Sequence, residues 1–165
     1  MHDRSNSERN LVIAKKSEAR VTVLGSSCHL VVDNYTDQGN EYLSLAQDEL
    51  LRIEEKFSAY NPESVISRIN QAAGTGSFTP LDAETRSLFQ YVAALREESK
   101  NLFDPTTRLL QDCYSEGGRL MASQAQLLGI LKLVGWSKLE ICPEGARLPE
   151  KGMLIDLNSC IRPYA

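Results

Sequence analysis

Histidine is nearly missing from this 165-residue chain: His2 and His29 are the only two, both near the N-terminus, and tryptophan occurs once. The four cysteines, Cys28, Cys113, Cys142 and Cys160, form no C-x-x-C pair. That pattern argues against a Cys/His zinc site and for buried or inert thiols. No apolar run is long enough to span a bilayer, and the opening Met1 to Asn6 lacks the apolar region of a signal peptide, so the chain as given reads as cytoplasmic. Positive charge of the kind that grips phosphate backbones is also lacking. The 18 basic residues are scattered among 22 acidic ones for a net charge of -4, which argues against a nucleic-acid partner. No internal repeat, coiled coil or low-complexity tract is visible. What is present is 42% hydrophobic residues, enough for one ordinary core and a single domain.

Local patterns predict the elements. The first ten residues are polar and expected to fray, and residues 1–19 as a whole are expected to be a flexible N-terminus. Arg20 to Gly25 and Cys28 to Asp33 are rich in β-branched residues around a Gly25-Ser26-Ser27 break, which predicts a hairpin. From Asn40 to Phe57, Leu43, Ala46, Leu50, Ile53 and Phe57 recur three or four apart on one face of a long helix. Asn61 to Ser64 breaks it and opens a shorter helix through Val65, Ile66 and Ile69, with Pro62 placed where its missing N-H costs little. A third helix starts after Pro80, capped by Asp82, and finishes near Lys100. Another runs from a Ser123 cap to Val134, released near Gly135. Strands are expected at Lys138 to Cys142, Ala146 to Leu148 and Met153 to Leu157. Helices in the middle with strands at both ends give an α+β fold of mixed helices and mainly antiparallel strands, over a doubly wound parallel sheet.

Three short segments carry the chemistry. The first is Phe57-Ser58-Ala59-Tyr60-Asn61-Pro62-Glu63-Ser64, leading into Ile66-Ser67-Arg68-Ile69-Asn70. Taken alone, it is an aromatic residue ending a helix before a proline turn. The second, Asn101-Leu102-Phe103-Asp104-Pro105-Thr106, contains an Asp-Pro pair that by itself marks a turn. The third is Ile155-Asp156-Leu157-Asn158-Ser159-Cys160-Ile161-Arg162-Pro163-Tyr164-Ala165. Upstream, Val23-Leu24-Gly25-Ser26 reads as a core strand.

In order, these blocks resemble the flavin-binding motifs of the ApbE family, the FAD:protein FMN transferases. The first is similar to F-S-x-Y-x-P-x-S followed by I-S-x-[IL]-N, the second to A-F-D-P-T, the third to D-L-G-G-[IV]-A-K-G-Y-A, and Leu24-Gly25-Ser26 stands in the place of M-G-T. The resemblance implies an ApbE-like fold over residues 20–165, incomplete at its C-terminus. It also implies FAD as ligand, magnesium as metal, and as partner an acceptor flavoprotein subunit of a redox complex that receives FMN on a Thr/Ser side chain. Carried over, Tyr60 stacks on the flavin or adenine ring, and Leu24 replaces the methionine contact. Leu102, Phe103 and Asp104 line the FAD site, where the Asp104 carboxylate accepts a hydrogen bond from an N-H or hydroxyl of the cofactor. Asp156 and Arg162 contact FAD, with Arg162 keeping the charge of the family lysine. Ser159 supplies a magnesium ligand, through its carbonyl oxygen. No catalytic residue is assigned: the remaining metal ligands and the base are expected in a C-terminal half outside this sequence. Asn158, Ser159, Ile161 and Pro163 replace mostly small residues of the third block and take away backbone freedom. A diverged, non-catalytic flavin-binding or interaction module is therefore the alternative function, followed by a fragment with no ligand. Because ApbE-like proteins are often exported, a periplasmic or membrane-anchored location applies if a leader was removed.

Overall fold

The computed structural model of the chain describes residues 15–34 and 37–165. Two compact units divide between Leu50 and Leu51, within one helix. His2 and the polar first ten residues lie outside the described residues.

In the first unit, β1 (Lys15–Val23) and β2 (Ser26–Asn34) pair antiparallel, with Val23 opposite Ser26 and Arg20 opposite His29. The strand begins at Lys15, five residues before the expected start, so the stretch to residue 19 is ordered hairpin rather than flexible terminus. The loop is two residues, Leu24 at φ 55° and Gly25 at φ 70°. Positive φ at both central positions is the turn geometry whose twist suits a hairpin. Leu24 therefore sits in the turn and not in the strand expected for it, and it is buried there. The long helix α1 (Gly39–Phe57) follows as the spacing predicts, burying Leu43 in the first unit and Ile53 and Phe57 in the second.

The second unit holds the rest. The side chain of Ser64 accepts from the Ser67 N-H and caps α2 (Val65–Gln71), and Pro62 lies in the turn before the cap. Asp82 caps α3 (Ala83–Glu98) through the Thr85 N-H, and α3 buries Thr85, Leu88, Phe89 and Val92. The start of α3 is tied to the end of α1 by charge: Glu84 accepts from Arg52 at 2.6 Å and from Lys56, and Lys56 also pairs with Asp82. Hydrogen bonds from Arg52 and then Lys56 hold the Glu84 carboxyl down at about 2.

The end of α3 is a Schellman turn. Lys100 N-H donates to Glu97 O at 2.9 Å and Asn101 N-H to Arg96 O at 2.7 Å, with φ of 54° and 63° at these two residues. Asparagine tolerates that conformation better than most, which explains Asn101 where the motif often has glycine. A four-residue helix, α4 (Arg108–Gln111), comes next and was not expected.

α5 (Gln124–Leu131) has the expected Ser123 cap, reinforced by a reciprocal bond from Gln126. It stops three residues before Val134, as the turn tightens with Leu133 N-H on Ile130 O. Its apolar side is not buried; Leu128 and Leu131 are exposed. After a short 3-10 turn at Trp136–Lys138, β3 (Glu140–Cys142) and β4 (Gly145–Arg147) form a small antiparallel pair, and Ala146 bridges to Thr79. A Cβ at Gly145 would lie 2.0 Å from the Thr79 carbonyl oxygen, so only glycine admits this bridge.

Met153 to Leu157 departs from expectation. It is not a strand. Met153, Ile155 and Leu157 are buried in alternation, as a strand would be, but Ile155 pairs with the Asn70 side chain instead of a ladder partner. The Asn70 Nδ2-H donates to Ile155 O at 2.9 Å and the Ile155 N-H donates to Asn70 Oδ1 at 2.8 Å. The chain then enters α6 (Asn158–Tyr164), which carries Pro163 inside it and buries Cys160 and Ile161. Burial pushes the Cys160 thiol up to about 11, in keeping with an inert cysteine. Tyr164 packs edge-on to Phe57, with ring centroids 6.3 Å apart.

Candidate functional site

The first and third sequence blocks meet although 96 positions apart. Asn61 Nδ2-H donates to Glu55 O and fixes the turn after α1, leaving Tyr60 66% exposed. Alternation along 153–157 buries Ile155 and Leu157 and leaves Asp156 half-exposed. The Tyr60 hydroxyl donates to Asp156 Oδ2 at 3.5 Å, a long bond that a ligand can displace. Asp156 Oδ1 accepts the Asn158 N-H at 2.9 Å.

The second block is joined to the third through backbone: Asp156 N-H donates to Pro105 O at 2.9 Å. Between them lies a cleft of about 260 Å³. Tyr60 forms one wall, Pro105, Thr107, Arg108 and Gln111 another, and Asp156, Asn158 and Ser159 the third. Arg108 Nε donates to the Tyr60 hydroxyl at 3.4 Å and its Nη1 to Asp112 Oδ1 at 2.8 Å. The Asp112 bond first and the Tyr60 contact second raise the guanidinium pKa, so this cation is permanent. Two smaller hollows, about 190 and 110 Å³, also touch Tyr60, and the smaller shares Arg108 and Asp156 with the cleft.

The structure thus brings Tyr60, Asp156 and Ser159 to one cleft. The other expected site residues of the second unit are not among its walls. Leu102 is 90% exposed, Phe103 is half-buried and Arg162 is exposed on α6. Leu24 belongs to the first unit. Asp104 is spoken for: Oδ1 accepts the Thr106 N-H at 2.9 Å and the Thr106 hydroxyl at 2.6 Å, while Oδ2 accepts the Trp136 N-H at 3.0 Å and lies 3.5 Å from Arg96 Nη2. A carboxylate with these partners organises its own loop, and a cofactor would have to compete for it.

Sequence reasoning missed Arg108 and Gln111. The signal was their three-residue spacing after Asp-Pro-Thr-Thr, visible only if a helical turn is expected there.

A larger cleft, about 490 Å³, is lined by Lys56, Glu63, Arg68 and Asp82 among others. It contains none of the expected site residues, and Lys56 and Asp82 already pair across it.

A model of the ApbE family matches residues 24–165. The chain belongs to the ApbE family. Solved structures agree on the fold. The ApbE protein of Thermotoga maritima superposes with a TM-score of 0.79 at 24% identity over 91% of this chain and 50% of that one. The flavin transferase ApbE of Vibrio cholerae gives 0.77 at 16% identity, covering 92% and 51%, and the apo flavinyl transferase ApbE of Pseudomonas stutzeri 0.75 at 19%, covering 92% and 49%. The chain spans about half the length of these relatives. No curated protein matches it by sequence. Among the described residues, no helix is long and apolar enough to cross a membrane.

The cleft offers a permanent cation, amide and hydroxyl groups, and an exposed aromatic ring at its edge. A protein-held metal fits less well. Among the described residues no group of three or more His, Cys, Asp or Glu side chains could hold one, and Asp156 is the one carboxylate among the residues that line the cleft.

Proposed function

We propose that this ApbE-family chain binds FAD at the Tyr60–Asp156 cleft and serves the transfer of FMN from FAD to a Thr/Ser side chain of an acceptor flavoprotein, a subunit of a redox complex. The observation that carries the reading is the convergence of Tyr60 and Asp156, from two separate flavin-like motifs, on one open polar cleft. In this reading the Tyr60 ring covers one aromatic face of the ligand and the Asp156 carboxylate accepts from its N-H or hydroxyl groups. In the transfer, the acceptor hydroxyl oxygen bonds to the FMN phosphorus, the pyrophosphate bond breaks, AMP leaves, and the hydroxyl proton passes to a base. Magnesium, if carried in with the FAD phosphates, would offset their charge, with Ser159 as the one ligand this chain is expected to add.

FAD titration followed by flavin fluorescence tests the binding. A change saturating below millimolar ligand is expected, and its absence would sink the reading for this chain. Incubation with FAD, magnesium and a threonine-containing acceptor peptide, read by mass spectrometry, tests transfer. These residues alone are expected to leave the peptide unlabelled, since no group of three or more His, Cys, Asp or Glu side chains among the described residues could hold a metal. A second reading, a flavin-binding module without transferase activity, draws support from the third block, where α6 with its internal Pro163 stands in place of the family's small residues.

A further inference from the structure

We infer that α5 and the turn before it form a two-fold interface between two copies of this chain. The inference does not depend on the flavin reading.

α5 is the anomaly of the second unit. Apart from Gln124 and Gln126 its residues are apolar or glycine, and none of them is buried. A helix of that composition is ordinarily covered on most sides, because it has little to offer water. From Leu120 to Leu131 the sequence carries no charged residue, the depletion that marks the centre of an interface rather than plain surface. Leu128 and Leu131, three apart, share one flank of α5. Met121 and Leu120 stand at its N-terminal end, where Leu120 is bridged to Tyr114. These five side chains are between 45% and 67% exposed. Together they leave about 500 Å² of apolar surface to water, at the upper end of what a monomer shows in one patch. A homodimer interface of about 800 Å² per copy, about 65% of it apolar, asks for the same amount.

The shape agrees with the area. Across α5 from the leucines lies a groove of about 440 Å³, walled by Cys113, Ala122, Gly129, Ile130 and Leu133. In a two-fold contact each copy supplies the same surface, so one patch must present both knob and hole. The exposed leucines and Met121 are the knobs, and the groove is the hole. Gly129 keeps it open. A Cβ there would meet nothing within 4 Å, and its backbone is outside the left-handed region, so the fold of a single copy gives no reason for a residue that weakens a helix interior. Close approach of a second copy gives one. Asp112, on the edge of the groove, is already paired with Arg108 and sets no unmet charge against the approach. A lipid surface fits less well, since helices that lie on bilayers carry Lys or Arg along the polar face and α5 has neither.

The test is sedimentation velocity on the full chain across about 1 to 100 µM. The wild type is expected to pass from monomer to dimer within that range. Leu128→Glu sets a charge among the knobs and Gly129→Arg fills the groove, and each should weaken dimerisation about tenfold or more. Gly129→Arg puts a good helix former into open space, so the melting temperature of the dilute chain should not fall, which separates loss of the interface from loss of the fold. Ala93→Glu, exposed on α3, should dimerise as the wild type does. A wild type that stays monomeric to the top of the range overturns the proposal. So do a dimer that survives both α5 variants, a loss in Ala93→Glu equal to theirs, and masses that climb beyond two copies. A monomer that cosediments with phosphatidylcholine vesicles, and ceases to in Leu128→Glu, overturns it in favour of a lipid surface.

Discussion

Asp104 and Asp156 come from similar-looking motif blocks and end in opposite situations. Asp104 is largely buried and gives both oxygens to its own loop, to Thr106, Trp136 and Arg96. Asp156 sits at a cleft edge with one short bond to backbone and one long bond to an exposed tyrosine. The difference teaches that an aspartate in a family motif can be spent on holding the frame or be left with capacity at an open cleft. Its partners, and not the motif, tell which.

The sharpest way to break this contrast is Asp104→Ala, expected to cost about 3 to 4 kcal/mol of stability because two backbone N-H groups and the Arg96 guanidinium lose their acceptor. Urea denaturation would measure it, with Asp156→Ala as the companion. A loss for Asp156→Ala as large as for Asp104→Ala would erase the distinction. Next comes Asn70→Ala, which removes both bonds to Ile155 and leaves a partly buried N-H and C=O unpaired, for about 2 to 3 kcal/mol in the same assay. Tyr60→Ala should leave the melting temperature nearly unchanged, since the ring is 66% exposed, yet lower FAD affinity by about 1 to 2 kcal/mol. A collapse of stability with unaltered affinity would make Tyr60 a structural residue. Smallest is Leu102→Ala. At 90% exposure it should change stability by less than about 0.5 kcal/mol, and any loss of FAD affinity would show that a ligand reaches beyond the cleft to this loop.

Much of the fold was legible because it rests on local rules. Alternating three- and four-residue spacing gave α1, and side-chain caps at Asp82 and Ser123 gave the starts of α3 and α5. Tyr60 and Asp156 came from motif resemblance, and the structure then placed them at one cleft. What stayed hidden depends on non-local pairing. Alternation at Met153 to Leu157 describes burial on one side and says nothing about what meets the backbone, so a strand was expected where a side-chain amide takes the ladder's place. Arg108 was hidden for a similar reason: α4 is one turn long, too short for periodicity to declare. Asp104 came from the motif resemblance, and the sequence does not show the four groups that use its carboxylate.

The Asn70–Ile155 pair also bears on the order of folding. It links residues 85 positions apart, and closing a loop of that length costs about 4 kcal/mol in chain entropy before any contact returns it. The β1–β2 hairpin closes over two residues and the helices form within their own turns, so these elements can arise early. The Tyr60–Asp156 cleft cannot. Its walls come together only after the segment from 153 to 157 has docked, so a bound flavin would report completion of the second unit, and its fluorescence would lag the appearance of helix during refolding.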